Sequence, residues 1–245
     1  MRKVGCQLKK KKNEFFIASF PRSGNTWVRF LIANVYNNIK KEFPEVDFFN
    51  IHDIVPELKK FGEVVKPYFS DLPVVIKTHS KFIDSFENTI LVLRNPFDTI
   101  YSYNNFLNMN RGIKISLPEM VTHEKYGIDA IVDHTNSFIR NCDNLLITSY
   151  ENLVCQPLKE LKKICDFLNI SVKDEIIKKS VKKSSFRSMR EIELRKGRKF
   201  GKKDFLFTRN GKVGEGKKEI QEDEKLNLFI LNVLKKSPIL YLLYL

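Results

Sequence analysis

Four short apolar runs separated by stretches of helical pattern most constrain how this chain folds. EFFIASF (residues 14–20) passes through PRSGNTW into VRFLIANVYNNI, and VVIKTH (74–79) and TILVLR (89–94) follow, the latter leading into NPFDTIYSYNNFL. LLITSY (145–150) precedes LKELKKICDFL. Runs this short and this apolar suit strands buried on both faces, and their alternation with helical stretches suits parallel strands joined by crossover helices. Asn95 and Pro96 can start a helix that continues through Ser102, and another starts near Pro157. The expected fold class is therefore α/β: a single domain with a mostly parallel central sheet flanked by helices, and no internal repeat.

The 245 residues are within reach of one hydrophobic core. Twenty Phe and 8 Tyr supply apolar area that a disordered chain lacks. Cys6, Cys142, Cys155 and Cys165 form no CxxC pair, which disfavours a disulfide scaffold or zinc ribbon and points to a reduced, cytoplasmic location. No transmembrane segment is expected, since Lys235, Lys236 and Pro238 interrupt the C-terminal LFILNVLKKSPILYLLYL well short of the ~18–20 apolar residues of a span. The basic N-terminus lacks the apolar length and cleavage site of a signal peptide.

The formal net charge of +14 is local: residues 1–12 carry six bases and no acids, and residues 173–219 carry 17 bases against 7 acids. Such segments fit an anionic partner, whether nucleic acid, an anionic surface or a multiply phosphorylated small molecule; they also fit two solvated lysine-rich faces. Residues 1–12 read as a basic, disordered tail and 13–245 as the domain. Residues 195–218, with Gly197, Gly201, Gly211, Gly214 and Gly216 among Lys and Arg, read as a long mobile loop of the kind that forms lids. His52, His123 and His134 have no metal-ligand spacing, and no metal is expected.

SFPRSGNTWVRF carries the first chemical signal. Where a strand turns into a helix, the first backbone N–H groups lack intrahelical partners and make an anion site at the positive end of the helix dipole. Gly24 lets the backbone approach the anion, Ser23, Asn25 and Thr26 add side-chain donors, and Arg22 adds a fixed charge. An ordinary βα turn is the alternative. The Walker pattern GxxxxGK[ST] is absent.

PRSGNTW resembles the PKSGTTW signature of sulfotransferases that use 3′-phosphoadenosine 5′-phosphosulfate (PAPS), and further motifs follow in the family's order. The resemblance implies a P-loop-like phosphosulfate-binding loop at Arg22–Thr26, with Trp27 packing on the adenine. IKTHSKF is similar to the family's KTH segment, which places the general base on His79 and Lys77 near the sulfuryl group. LVLRNPFDTIYSYNNF is similar to RNxxDxxxSxxxF and implies that Arg94 and Ser102 hold the 3′-phosphate. LLITSYENL places Tyr150 near the adenine. SSFRSM resembles TSFxxM and brings Ser184, Phe186 and Met189 to the nucleotide pocket, while FTRNGKVGEGKKEI resembles FxRKGxxGxWK, with Arg209 on the 3′-phosphate and Asn210 and Gly211 beside it. The resemblance spans Phe15 to about Ile220.

What the family implies is sulfuryl transfer from PAPS to an acceptor hydroxyl or amine, with adenosine 3′,5′-bisphosphate released. The acceptor is a small molecule, sugar or lipid with its wall near Asn104–Thr135, and no nucleic acid is expected. The departures are Arg22 in place of a Lys, Asn210 in place of a Lys, and Gly216 in place of a Trp, which points to a lid that closes less firmly. Arginine is a poor proton donor and a good oxyanion anchor. A second RKG at Arg195, Lys196 and Gly197 ranks behind Arg209. Rival readings are a P-loop kinase, which needs a Walker Lys and a Mg²⁺-holding carboxylate that the loop lacks, a basic nucleic-acid-binding module, and a relative that binds PAPS without transfer.

Overall fold

The computed structural model describes residues 14–58, 68–69, 71–199 and 206–244. The expected basic tail at 1–12 lies outside them. In chain order the elements are β1 (Glu14–Ala18), α1 (Asn25–Lys40), α2 (Ile51–Ile54), β2 (Val74–Thr78), β3 (Asn88–Leu93) and α3 (Pro96–Phe106), which runs on into a π-helical turn at Leu107–Arg111. Then come α4 (Leu117–Thr122), α5 (Ile128–Asn141), β4 (Asn144–Ser149), α6 (Tyr150–Cys155), α7 (Pro157–Phe167), α8 (Asp174–Lys183), α9 (Phe186–Lys196), α10 (Glu215–Gln221), α11 (Glu224–Leu234) and α12 (Pro238–Tyr244).

The strands form a parallel sheet in the order β2-β1-β3-β4, with Phe16 of β1 registered against Ile76 on one side and Thr89 on the other. Successive side chains of a strand point to opposite faces, and both faces are used. Phe15 and Ile17 pack with Phe30 and Leu31 of α1, Leu161 of α7 and Ile177 of α8. Phe16 and Ala18 pack with Phe97 of α3, Phe138 of α5 and Ile230 of α11. Three layers result, as the alternation of strands and helices predicts.

The chain steps from β1 to β2 on one side of the sheet and then to β3 on the other. Ligands of open parallel sheets bind beyond the carboxyl ends of the strands at such a reversal. That edge carries the turn after β1, His79 after β2, Arg94 after β3 and Tyr150 after β4. The outer edge of β2 is covered by residues 56–58: the Lys77 N–H donates to the Pro56 carbonyl at 2.8 Å and the Leu58 N–H to the Lys77 carbonyl at 2.9 Å. This pairing brings the Glu57 carboxylate to the Lys77 ammonium.

Helix α1 is buried along most of its length, and several of its polar side chains find partners across the fold. Arg29 donates to the carbonyls of Val55 (2.6 Å) and Ile51 (3.3 Å), Asn34 to Ser184 Oγ at 3.0 Å and Asn38 to Ser180 Oγ at 2.9 Å. Pairing of this kind removes most of the cost of burying them. No helix among the described residues is long and apolar enough to cross a membrane.

The reading of 195–218 as a mobile loop needs correction at both ends and in its described middle. Arg195 and Lys196 finish α9 and pair with Glu45 and Asp47, so the second RKG faces away from any phosphate. Residues 215–218 open α10. Between them, 206–214 is pinned by side chains of α3 and α9, while 200–205 lie outside the described residues.

Candidate active site

The turn after β1 is shaped by two residues with positive φ, Arg22 (71°) and Gly24 (102°). At Gly24 a Cβ would lie 2.9 Å from Tyr150 Cδ2, so glycine is required both by conformation and by the close approach of the ring. Beyond it the first N–H groups of α1 point out at the sheet edge with no intrahelical acceptor.

Two cavities meet at this turn and share Arg22, Gly24, Thr26 and Phe207. The first, of about 310 Å³, is lined by the rings of Trp27, Tyr150 and Phe186 and by Arg94, Ser102 and Arg209. Trp27 and Tyr150 meet edge to face at 5.5 Å, and Met189 and Pro157 extend the apolar wall. An apolar slot beside a row of guanidinium groups suits a flat base attached to phosphates.

The guanidinium of Arg22 donates from Nε to Ser102 Oγ at 3.3 Å and lies over the Phe207 ring (4.4 Å) and the Phe106 ring (5.1 Å). Burial, and then the charges of Arg94, Arg198 and Arg209, push its pKa down to about 10, so it remains a cation at neutral pH. Arg94 reaches the Arg22 carbonyl (3.3 Å) and the Lys212 carbonyl (3.2 Å), stacks on Tyr150 (4.4 Å) and stands 3.7 Å from Asp98. Arg22 Nη1 and Arg94 Nε are buried without a hydrogen-bond partner among the described residues. Donors left this way beside repelling charges call for an anion.

The lid over this cavity is held by two carboxylates. Glu193 of α9 accepts the N–H groups of Phe207 (2.7 Å) and Thr208 (2.9 Å) and the Thr208 hydroxyl (2.6 Å). Asp98 of α3, 1% exposed, accepts those of Gly214 (2.7 Å), Gly216 (2.8 Å) and Lys217 (3.4 Å). Arg190 donates to the carbonyls of Thr208 and Arg209, and the Tyr150 hydroxyl to that of Gly211 at 3.0 Å. Gly216 is no weak point, because a Cβ there would come within 2.4 Å of the Phe97 carbonyl oxygen. Its bare backbone is what seats the N-terminus of α10 on α3, and this replaces the expectation of a looser lid.

The second cavity, about 470 Å³, holds Lys77 and His79. His79 Nδ1 lies 2.8 Å from the Ser19 carbonyl oxygen, which only accepts, so Nδ1 carries the proton and Nε2 keeps its lone pair. Burial and then the Lys77 charge push this imidazole down to about 3. Lys77, itself lowered mainly by burial, is paired with Glu57. Phe48, Tyr103, Phe106 and Phe207 supply aromatic walls.

Arg22, Gly24, Thr26, Trp27, Arg94, Ser102, Tyr150, Phe186, Met189, Arg209, Asn210 and Gly211 all line the first cavity. Three expected contacts are corrected. Ser184 is fully buried and accepts from Asn34, because it closes α8 against α1; its neighbour Ser185, the N-cap of α9, reaches the cavity instead. Ser23 is 3% exposed and lines neither cavity, its N–H directed at the Phe20 carbonyl. Asn25 turns to the second cavity, donating to the Ile17 carbonyl and Ser19 Oγ. Arg209 lines the first cavity and also pairs with Glu215 at 2.8 Å. The sequence reading missed the lid-holding roles of Asp98 and Glu193. It also missed Glu57, Arg111 and Arg198, which line the second cavity.

Solved structures of similar fold include mouse sulfotransferase SULT7A1 complexed with PAP (TM-score 0.69, 21% identity, 95% of this chain and 87% of that one). Another is retinol dehydratase in complex with androsterone and the inactive cofactor PAP (TM-score 0.67, 19% identity, 91% and 80%). Among sequence relatives, cytosolic sulfotransferase 17 of Arabidopsis thaliana is 25% identical over 84% of this chain and 69% of its own length. Sulfotransferase 1 family member D1 of Mus musculus is 29% identical over 73% and 66%. Residues 12–238 match the family described as the sulfotransferase domain, and with nearly the whole chain matched, the protein belongs to the sulfotransferase domain family.

Proposed function

We propose that this chain transfers a sulfuryl group from PAPS to an acceptor hydroxyl or amine, with the nucleotide in the first cavity and the acceptor in the second. The observation that carries the reading is the pair of buried, partnerless guanidinium nitrogens, Arg22 Nη1 and Arg94 Nε, at the carboxyl edge of the sheet where the two cavities meet. The PAP bound in the solved structures of similar fold and the cytosolic naming of the Arabidopsis relatives support the co-substrate and a cytosolic place of action.

PAPS supplies the sulfuryl group: the acceptor oxygen or nitrogen bonds to sulfur as the bridging S–O bond breaks and its electron pair leaves on the 5′-phosphate. The chain's own residues then have separate tasks. The Gly24–Thr26 turn and Arg22 receive the 5′ end, Arg94, Ser102 and Arg209 the 3′-phosphate, and Trp27, Tyr150 and Phe186 the base. His79 takes the acceptor proton on Nε2, and its Nδ1–H bond to Ser19 keeps that nitrogen aimed into the cavity. A neighbouring anion raises the pKa of an imidazole, so the bound nucleotide makes His79 a stronger base than it is alone. Arg22 stabilises the leaving oxygen by charge without giving up a proton, a contribution of the kind that dominates phosphoryl transfer.

The test is a thermal-shift titration with adenosine 3′,5′-bisphosphate and adenosine 5′-phosphate on wild type and Arg94→Ala. The bisphosphate should stabilise wild type more strongly, and the variant should lose about 1.5–3 kcal/mol of that preference, the worth of a hydrogen bond to a charged group. Equal stabilisation of wild type by both nucleotides sinks the 3′-phosphate assignment.

A further inference from the structure

Arg22 sits where a charge is hard to keep. Burial and the charges of Arg94, Arg198 and Arg209 all act against it. The acids of the lid and its anchors are engaged elsewhere: Asp98 with lid N–H groups and Arg94 (3.7 Å), Glu193 with lid N–H groups and Arg198 (3.6 Å), Glu215 with Arg209 (2.8 Å). Arg22 has instead the Ser102 hydroxyl on Nε (3.3 Å) and two aromatic rings, Phe207 at 4.4 Å and Phe106 at 5.1 Å from Cζ.

A buried cation can be stabilised in three ways that differ in what they leave free. A carboxylate cancels its charge, and a backbone carbonyl occupies its N–H groups. The face of an aromatic ring does neither, since it attracts the cation through its quadrupole and uses no donor. Arg22 has support of this third kind, and its Nη1 is buried with no hydrogen-bond partner among the described residues. The rings come from segments far apart in the chain: Phe106 ends α3, and Phe207 belongs to the lid segment whose N–H Glu193 holds. Arg22 itself has φ 71°, a left-handed conformation uncommon outside glycine, so the backbone also sets the direction in which its side chain leaves the turn.

We propose that Phe106 and Phe207 are positioning residues for Arg22. Their faces hold its guanidinium charged and oriented where the two cavities meet, with Nη1 left for the anion, and this aromatic pair suits the site to arginine in place of the lysine of PKSGTTW. A guanidinium is planar and weakly hydrated and lies readily on ring faces, whereas the ammonium of lysine is a compact, strongly hydrated charge. A long side chain held in this way loses less freedom when the anion arrives. The inference rests on the sulfotransferase reading of the same site and adds two residues that act through Arg22.

Phe106 gives the cleaner test, because it lines the second cavity and not the first, whereas Phe207 lines both. The dissociation constant of adenosine 3′,5′-bisphosphate is measured by calorimetry for wild type, Phe106→Tyr, Phe106→Leu and protein carrying 3,4,5-trifluorophenylalanine at position 106. Each is repeated with Arg22→Gln, and Arg22→Lys is measured alone. Affinity should fall roughly three- to tenfold in Phe106→Leu, the scale of a desolvated cation–π contact, and stay within about twofold in Phe106→Tyr. The trifluoro ring has nearly the shape of phenylalanine but an electron-poor face, so it should behave as leucine does. With Arg22→Gln in place these exchanges should make no difference, as expected of residues that act as one unit. Arg111 also approaches the Phe106 ring, at 5.7 Å, and the Arg22→Gln background separates its contribution. Arg22→Lys, though it restores the signature residue, should bind more weakly than wild type. Melting temperatures without ligand check folding, and where Phe106→Leu melts early, the trifluoro protein against Phe106→Tyr decides.

Equal affinity of wild type, Phe106→Leu and the trifluoro protein overturns the proposal. So does a loss in Phe106→Leu that the trifluoro ring does not share, which is packing alone, or a loss that persists with Arg22→Gln. Arg22→Lys binding as tightly as wild type overturns the link between the rings and the arginine. If wild type itself fails to bind the bisphosphate, the sulfotransferase reading falls; binding that Arg22→Gln weakens and the ring exchanges leave alone removes this inference only.

Discussion

The two cavities meet at Arg22, yet they use their carboxylates in opposite ways. On the nucleotide side, Asp98 and Glu193 accept backbone N–H groups of the lid, so they build the roof and leave Arg22 and Arg94 with unanswered donors. On the acceptor side, Glu57 faces Lys77 directly and cancels charge next to His79. One region is organised in advance for an anion; the other keeps the His79 imidazole neutral. A site that must bind a polyanion and also remove a proton from a neutral group needs both arrangements, a few ångströms apart, and the shared arginine marks the border.

The largest test of that division is His79→Ala. Loss of a general base costs typically ~10²–10⁴-fold in rate, so transfer should collapse while stabilisation by adenosine 3′,5′-bisphosphate is retained. A near wild-type rate in steady-state assays shows that another group takes the proton.

On the nucleotide side, Asp98→Asn exchanges a carboxylate that receives three N–H groups for an amide that can orient one oxygen toward them. Affinity for adenosine 3′,5′-bisphosphate should drop about tenfold, and amide exchange at Gly214 and Gly216 should accelerate. Unchanged exchange at those two amides means that the lid has other anchors.

A smaller effect concerns pH and the protected histidines. Burial first of all pushes His79 down to about 3 and His134 and His52 down to about 4, whereas in the unfolded chain a histidine titrates near 6.5. Between those values the unfolded chain holds protons that the folded one does not. The stability these groups contribute is therefore complete above about pH 6.5 and is lost as pH falls toward 4. Thermal melts across this window should show Tm declining before the carboxylates titrate, and a Tm flat from pH 7 to pH 4.5 contradicts the assignment.

Smallest of all, Ser184→Ala should cost about 1 kcal/mol of stability, the worth of the bond from Asn34, and leave nucleotide affinity untouched. Weakened nucleotide binding returns Ser184 to the cavity.

These cases also show which parts of the molecule a sequence displays. The sheet is legible because Phe15 and Ile17 face one layer while Phe16 and Ala18 face the other, so a short unbroken apolar run can only be a strand covered on both sides. The carboxyl-edge residues His79, Arg94 and Tyr150 are legible because each directly ends its strand's run, in motifs shared with a known family. Asp98 and Glu193 are not, since a carboxylate that accepts main-chain N–H groups from a distant segment has no preferred spacing or partner type. Glu57 is hidden for a related reason: its meeting with Lys77 depends on the pairing of residues 56–58 with β2. The exchange of Ser184 for Ser185 is a one-residue matter, settled by where α8 stops and α9 is capped.

Phe207 carries a last consequence. Its backbone N–H is held by Glu193, yet its ring covers Arg22 and lines both cavities. The roof of one substrate is thus a side wall of the other. Any coupling of the two cavities through this residue is reciprocal: whatever factor a ligand in one adds to affinity in the other is returned in kind. A change at Phe207 that alters ligand affinity in one cavity is therefore expected to be read in the other as well.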